Sequence, residues 1–278
     1  MRVLSTIALV TLLGASAVLY GQTQSPLWTR CTANDAATKI AGCTALIQSG
    51  QLQGALLALA YNDRGFGYVQ NKQYDLGLQD YNLALQLSPN FVMAYENRAV
   101  LYSDTGQYDL EIQDLSQVLR IEPNGSDVGA VYTYRGNAYS SNGQYSQAVA
   151  DYSQALSLQP NDPSLLNDRC YNNAIVGQLQ PALADCNQSL VLRPNDVDTL
   201  DSRCFAYLKL NNADAAIADC NAALAINPKM ASSLYSRGLA ERIKGDTADS
   251  NADIAAAKAI QSNIDSQYAK MGVPIPTP

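Results

Sequence analysis

The stretch "GAVYTYRGNAYSSNGQYSQAVADYSQALSLQP", residues 129–160, decides the fold. Tyr132, Gly136 and Tyr139 fall at helical spacing, and so do Ala148, Tyr152, Ala155 and Leu156. That is the period of an apolar helix face. Gly143 interrupts the two halves, and Pro160 stops the second, because proline cannot extend a helix. Gly136 and Ala148 are too small to hold neighbouring backbones apart, so two antiparallel helices can approach closely. The stretch is a helical hairpin.

The same pattern returns along the chain. Prolines at 89, 123, 160, 194 and 228 are 34, 37, 34 and 34 residues apart, the longer gap holding the turn-rich "NGSD" at 124–127. A fixed period of this size marks stacked repeats. A 34-residue frame from Ala58 has further copies at Val92, Gly129, Pro163, Val197 and Ala231. Place 8 holds Gly65, Ala99, Gly136, Cys170, Cys204 and Gly238; place 20 holds Gly77, Glu111, Ala148, Ala182, Ala216 and Ser250. Near place 15, Gly106, Gly143, Gly177, Asn211 and Gly245 break each copy in two. Asp75, Asp109 and Asp214 are expected to cap second helices, and Pro181 falls in a first turn, where a missing N–H costs little. Glu111 puts a carboxylate at a close-packed place and predicts a bent or loosened helix.

Tyr132, Gly136, Tyr139, Ala148, Tyr152, Ala155 and Pro160 carry a likeness to a known family. From Ala58 to about Ile260 the chain resembles the tetratricopeptide repeat (TPR) family, in six copies, as an exported bacterial type with cysteine pairs inside repeats. The resemblance implies an all-α, right-handed α-solenoid of antiparallel helical hairpins whose first helices line a concave groove. Residues 58–262 are then six repeats. Residues 18–57 form an N-terminal arm and half-repeat cap, since 36–50 match the second helix at 216–228. Residues 263–278 supply a C-terminal cap helix, Asn263–Met271, and an exposed tail, "GVPIPTP"; a solenoid needs its ends covered.

Residues 1–17 read as a signal peptide: Arg2, an apolar run from Val3 to Leu13, then "ASA" at Ala15–Ala17, with cleavage as late as 21 also compatible. An uncleaved leader is the one expected contact with a membrane. All six cysteines follow it, an even number that reads as disulfides in an oxidising, periplasmic or secreted compartment. Places 8 and 24 are equidistant from the hairpin turn, which pairs Cys170 with Cys186 and Cys204 with Cys220. Cys31 and Cys43 are the leftover pair, with Cys31 ahead of any clear helix, and sequence alone leaves Cys186–Cys204 open.

Another register is as regular. Arg64, Arg98, Arg135, Arg169, Arg203 and Arg237 occupy place 7, and Asp80, Asp114, Asp151, Asp185, Asp219 and Asp253 occupy place 23. Equal numbers of opposite charges at matched depth predict mutual pairing rather than a phosphate or calcium row.

Composition limits function. A net charge of −7 and a pI near 4.5 disfavour nucleic acid. Histidine is absent and no nucleophile–base pair is discernible, so no catalytic residue, metal or cofactor is expected. Twelve of the 17 tyrosines sit at repeat-scaffold places. In the TPR family, places 2, 5, 6, 9, 12 and 13 line the groove. Carried onto this chain they include Asp63, Phe66, Glu96, Tyr134, Asn137, Asp168, Tyr171, Asp198, Asp201, Phe205 and Tyr235, against Lys209 and Arg242. An acidic groove with spaced aromatics suits an extended, neutral-to-basic peptide. The expectation is a non-enzymatic protein-interaction scaffold of the cell envelope. The alternative is a cell-wall or export polysaccharide stacked on Tyr134, Tyr171 and Phe205.

Overall fold

A computed structural model describes residues 25–273, so the leader and the end of the tail lie outside the described residues. Among the described residues there are fifteen α-helices and no strand. They fall into two compact units, Met1–Gly106 and Gln107–Pro278. Each is a solenoid of antiparallel helices in repeat order.

The first unit holds α1 (Pro26–Cys31), α2 (Ala36–Gln48), α3 (Gly54–Gln70), α4 (Tyr74–Leu87) and α5 (Val92–Asp104). Cys31 does not precede the helices; it ends α1, whose start is set by Pro26 in the first turn and by Ser25, which accepts from the Trp28 N–H. A helix of 6 residues shows too little periodicity to be legible in sequence. α1 and α2 are joined by Cys31–Cys43, with Cα atoms 4.4 Å apart, and Trp28 is buried beside them. The first full hairpin, α3–α4, begins at Gly54, four residues ahead of the frame at Ala58.

The second unit holds α6 (Tyr108–Ile121), then the hairpins α7 (Val128–Ser141) and α8 (Tyr145–Leu158), α9 (Pro163–Ile175) and α10 (Leu179–Leu192), α11 (Val197–Lys209) and α12 (Ala213–Ile226), α13 (Ala231–Lys244) and α14 (Thr247–Ile260). A short α15 (Ile264–Lys270) follows. Glu111 is buried in the first turn of α6, near the helix's positive end. α6 keeps the 14 residues of α4, α8, α10, α12 and α14, so the carboxylate does not shorten the helix.

Place 15 is a left-handed turn. Gly106, Gly143, Gly177 and Gly245 have φ of 70°, 74°, 84° and 88°, and Asn211 has 60°. Lys72 occupies the same turn in the first hairpin with φ 59°, although its side chain disfavours that conformation. The second helices start at place 17, so Asp75, Asp109 and Asp214 lie inside the first turn and do not cap. Asn212 caps α12, accepting from the Ala215 N–H, while Asp109 and Asp214 accept from Asn142 and Lys244.

Places 8 and 24 meet in every hairpin described within a unit. A methyl built on Gly65 would lie 3.0 Å from the Tyr81 ring, and one on Gly136 2.9 Å from Tyr152. Where both places are cysteine the gap is closed covalently: Cys170–Cys186 and Cys204–Cys220 each have Cα atoms 5.5 Å apart and link positions 16 residues apart in sequence. Closing such a loop contributes about 3 kcal/mol in the chain-entropy account.

In the five hairpins that lie within a unit, the arginine and aspartate rows pair. Arg64–Asp80, Arg135–Asp151, Arg169–Asp185 and Arg203–Asp219 approach to 2.7 Å, and Arg237 grips Asp253 in the same way. Nε and one Nη donate to both carboxylate oxygens. The remaining Nη reaches the preceding helix pair: Arg64 to Thr44, Arg98 to Asn82, Arg135 to Ser116, Arg169 to Ser153, Arg203 to Asn187 and Arg237 to Asn221. One guanidinium therefore closes a hairpin and ties it to its neighbour.

Two outcomes follow from this geometry. Arg203→Ala strands Asp219, whose side chain is 10% exposed, and should lower stability by about 2–3 kcal/mol in urea unfolding. The Arg203→Ala, Asp219→Asn pair should recover part of that loss in a double-mutant cycle. Lys72→Gly relieves a left-handed lysine and should raise stability by about 0.5–1 kcal/mol, read as an upward shift in Tm.

Candidate functional site

In the second unit the first helices of successive repeats adjoin, α9 beside α11 and α11 beside α13, and so form a common inner face. Tyr171 and Ile175 come from α9, Phe205, Leu208 and Lys209 from α11, and Tyr235 and Leu239 from α13. This face is covered. α15 packs on the last hairpin, α13–α14, and its side chains reach back over the inner helices α11 and α13.

The physical reason is where α15 carries its apolar residues. Ile264, Tyr268 and Met271 fall on one side of a helix and are 1%, 4% and 8% exposed. Tyr268 packs edge-on against Phe205, ring centroids 5.6 Å apart, and against Tyr235 at 4.6 Å. Its hydroxyl donates to the Ser232 carbonyl at 2.9 Å and lies 2.7 Å from Ser236 Oγ. Lys209 Nζ donates at 2.8 Å to the carbonyls of both Ile175 and Met271, which holds the end of the segment to the end of α9. Burial lowers the Lys209 pKa. The Tyr171 hydroxyl reaches Met271 Sδ at 3.3 Å. Phe205 and Tyr235, read from sequence as groove residues, are thus 2% and 0% exposed.

Beside α15 a cleft of about 270 Å³ stays open. Asp168, Asp198 and Asp201 line it together with Tyr171, Tyr268 and Met271, and none of its lining residues is Lys or Arg. Burial pushes the Asp168 carboxyl up to about 6, helped by the like charges of Asp162 and Asp198. Burial also raises Asp201, opposed by hydrogen bonds from Ser233 and Ser232. The structure therefore brings together five of the expected groove residues, Asp168, Tyr171, Asp198, Asp201 and Phe205.

The other expected residues lie apart from that cleft. Tyr134 on α7 is exposed, and Asn137 accepts from the Tyr152 hydroxyl at 2.8 Å. In the first unit, Asp63 accepts from Asn62, which in turn accepts from Asn97 at 2.9 Å. Burial raises Asp63 to about 6, opposed by nearby Lys39, whose ammonium sits 5.5 Å from the Phe66 ring centre. Glu96 lies on α5, one repeat further on.

Sequence reasoning missed Tyr268, Met271, Ser232 and Ser236, and counted Lys209 as a free groove cation. One signal was present: Tyr268 is among the five tyrosines outside the scaffold places, and Ile264, Tyr268 and Met271 repeat at helical spacing. Among the described residues no cluster suited to a metal ion occurs, and no helix is long and apolar enough to cross a membrane.

Family models for the tetratricopeptide repeat match residues 94–124, 129–162 and 205–230. Those three stretches carry the tetratricopeptide repeat pattern. Solved TPR structures share the chain's fold. YrrB, a TPR protein with an unusual peptide-binding site, is 19% identical with a TM-score of 0.61, covering 70% of this chain and 97% of its own. A TPR protein from Parabacteroides merdae is 16% identical with a TM-score of 0.61, covering 91% and 97%. MamA from Desulfovibrio magneticus is 17% identical with a TM-score of 0.53, covering 63% and 97%. A search of curated proteins found no match. TPR repeats serve generally as protein-interaction scaffolds, and the three cystines here stand inside helix pairs.

Proposed function

We propose that the protein is a non-enzymatic, exported scaffold of the cell envelope that binds a neutral-to-basic peptide segment, with the cleft beside α15 receiving a lysine or arginine side chain. The cleft itself carries the reading: three carboxylates and two tyrosines converge there with no basic residue to neutralise them. An alkyl-ammonium or guanidinium fits such a lining, its stem against Tyr171 and Met271 and its charge toward Asp168 and Asp198. The peptide-binding character of YrrB supports the same reading. Three disulfides favour an oxidising compartment. The polysaccharide alternative gains less support, because Phe205 is covered by Tyr268 and offers no open stacking face.

The carboxylates set the pH dependence. A buried acid with a raised pKa binds its proton more tightly folded than unfolded, so without ligand its contribution to stability falls as pH rises from about 4 toward 6. A bound cation favours the ionised form and offsets that loss. Affinity for a basic peptide should therefore rise as pH passes upward through about 6, the value for Asp168. In titration calorimetry with a panel of short peptides, the intact protein should prefer lysine- or arginine-bearing peptides at pH 7.5 and bind them less tightly at pH 5. Asp168→Asn with Asp198→Lys should weaken them at least tenfold and flatten the pH response. Preference for acidic peptides, or equal binding by the variant, would overturn the assignment.

A further inference from the structure

The occupant of the inner face is itself a description of a ligand. α15 has 7 residues, well below the roughly 12–15 at which an isolated helix holds in water, so the face it lies on makes it helical. What that face reads is specific. Phe205 and Tyr235 form the walls of a slot that admits one aromatic ring. At its floor, Ser236 Oγ and the Ser232 carbonyl meet the Tyr268 hydroxyl, and Ser236 is 0% exposed. A phenylalanine in the slot would leave the buried serine hydroxyl with one partner fewer, so the slot is built for tyrosine. Ile264 sits one turn before the ring, and Met271 sits just after it against the Tyr171 hydroxyl. Ser266, Ala269 and Lys270 face solvent, and only Gln261–Asn263 connect α15 to α14.

We propose that α15 is a resident ligand: the face of α9, α11 and α13 is a receptor for a short helix anchored as Ile-x3-Tyr-x2-Met, and a partner segment of that pattern binds by replacing α15. The inference rests on reading the repeats as a peptide-binding scaffold, but it does not use the cleft carboxylates. A tethered segment competes at an effective concentration on the order of millimolar, so the resident helix sets the threshold that an incoming partner must exceed. Its edge also walls the open cleft through Gln267, Tyr268 and Met271, so replacing α15 rebuilds one side of that cleft.

The probe is a fluorescent peptide of residues 262–273, "SNIDSQYAKMGV", titrated by anisotropy into the full chain. Tyr268→Ala in the full chain should weaken the resident helix and bind the probe at least tenfold more tightly than the unaltered protein. Met271→Ala, at the slot's edge, should act in the same direction and serves if Tyr268→Ala does not fold. The probe carrying Tyr268→Ala should not bind either chain. Hydrogen exchange in residues 262–273 of the unaltered protein should speed up when excess unlabelled peptide is added. No binding to a folded variant, or equal affinity for variant and unaltered protein, would overturn the proposal. Either result leaves the basic-peptide titrations with Asp168→Asn and Asp198→Lys to stand or fall separately.

Discussion

The arginine at place 7 holds the repeats in order because its guanidinium has donors in three directions. Two of them grip the aspartate across the hairpin, fixing the angle between first and second helix. The third reaches a Thr, Asn or Ser on the preceding pair, as in Arg169 to Ser153 and Arg203 to Asn187. A lysine could satisfy the charge but could not fork across both oxygens while also reaching back. Tyr61 and Tyr68 flank Arg64 with ring centres 5.3 and 5.8 Å away, and Tyr132 and Tyr139 flank Arg135 at 5.7 Å each. These rings shield the ion pair from water and explain why so many tyrosines belong to the scaffold rather than to a binding surface.

The facing places 8 and 24 show a second constraint, one of volume. In the hairpins within a unit, the gap between helices is filled by a glycine facing a tyrosine ring (or Ile254 in the last hairpin) or by two cysteines. Cys170 and Cys204 therefore stand in a slot the fold already requires to be narrow, and the cystine replaces a close van der Waals contact with a bond. The covalent solution occurs in the α9–α10 and α11–α12 pairs, the hairpins whose first helices supply Asp168, Tyr171, Asp198, Asp201 and Phe205. The cleft is thus mounted on covalently clasped pairs, as a preorganised site should be.

Legibility from sequence followed periodicity. The hairpins, the place-15 turn and the arginine–aspartate pairing each recur in copy after copy, so chance matches are filtered out. The left-handed Lys72 escaped because only its position, not its residue type, marks the turn. α1 escaped because a single helical turn and a half has no period to detect. The partner of the third guanidinium donor was visible as a polar residue directly after place 24 (Asn82, Ser116, Ser153, Asn187, Asn221), yet small polar residues on helices are too common to single out unaided. The groove residues were placed by family geometry, which gives the face a side chain occupies but not what lies over it. Whether Phe205 and Tyr235 meet solvent depends on a non-repeating segment that begins 26 residues after Tyr235, at Gln261, and no repeat frame describes it.

That covering segment changes what the carboxylates mean. On an open, solvated face, Asp168, Asp198 and Asp201 would be an ordinary acidic surface, since water screens each from the next. With α15 beside the cleft, Asp168 and Asp201 are partly buried, Asp198 stays exposed, and no lining residue supplies a cation. Lys209, on the same inner face, is committed to the Ile175 and Met271 carbonyls, and its ammonium lies 5.7 Å from the centre of the Phe205 ring. The same helix that fills the aromatic slot therefore leaves an unmet electrostatic demand at its own margin. A partner bringing a basic side chain would satisfy that demand where α15 does not, and a partner bringing the tyrosine anchor as well could compete for both parts of one continuous surface.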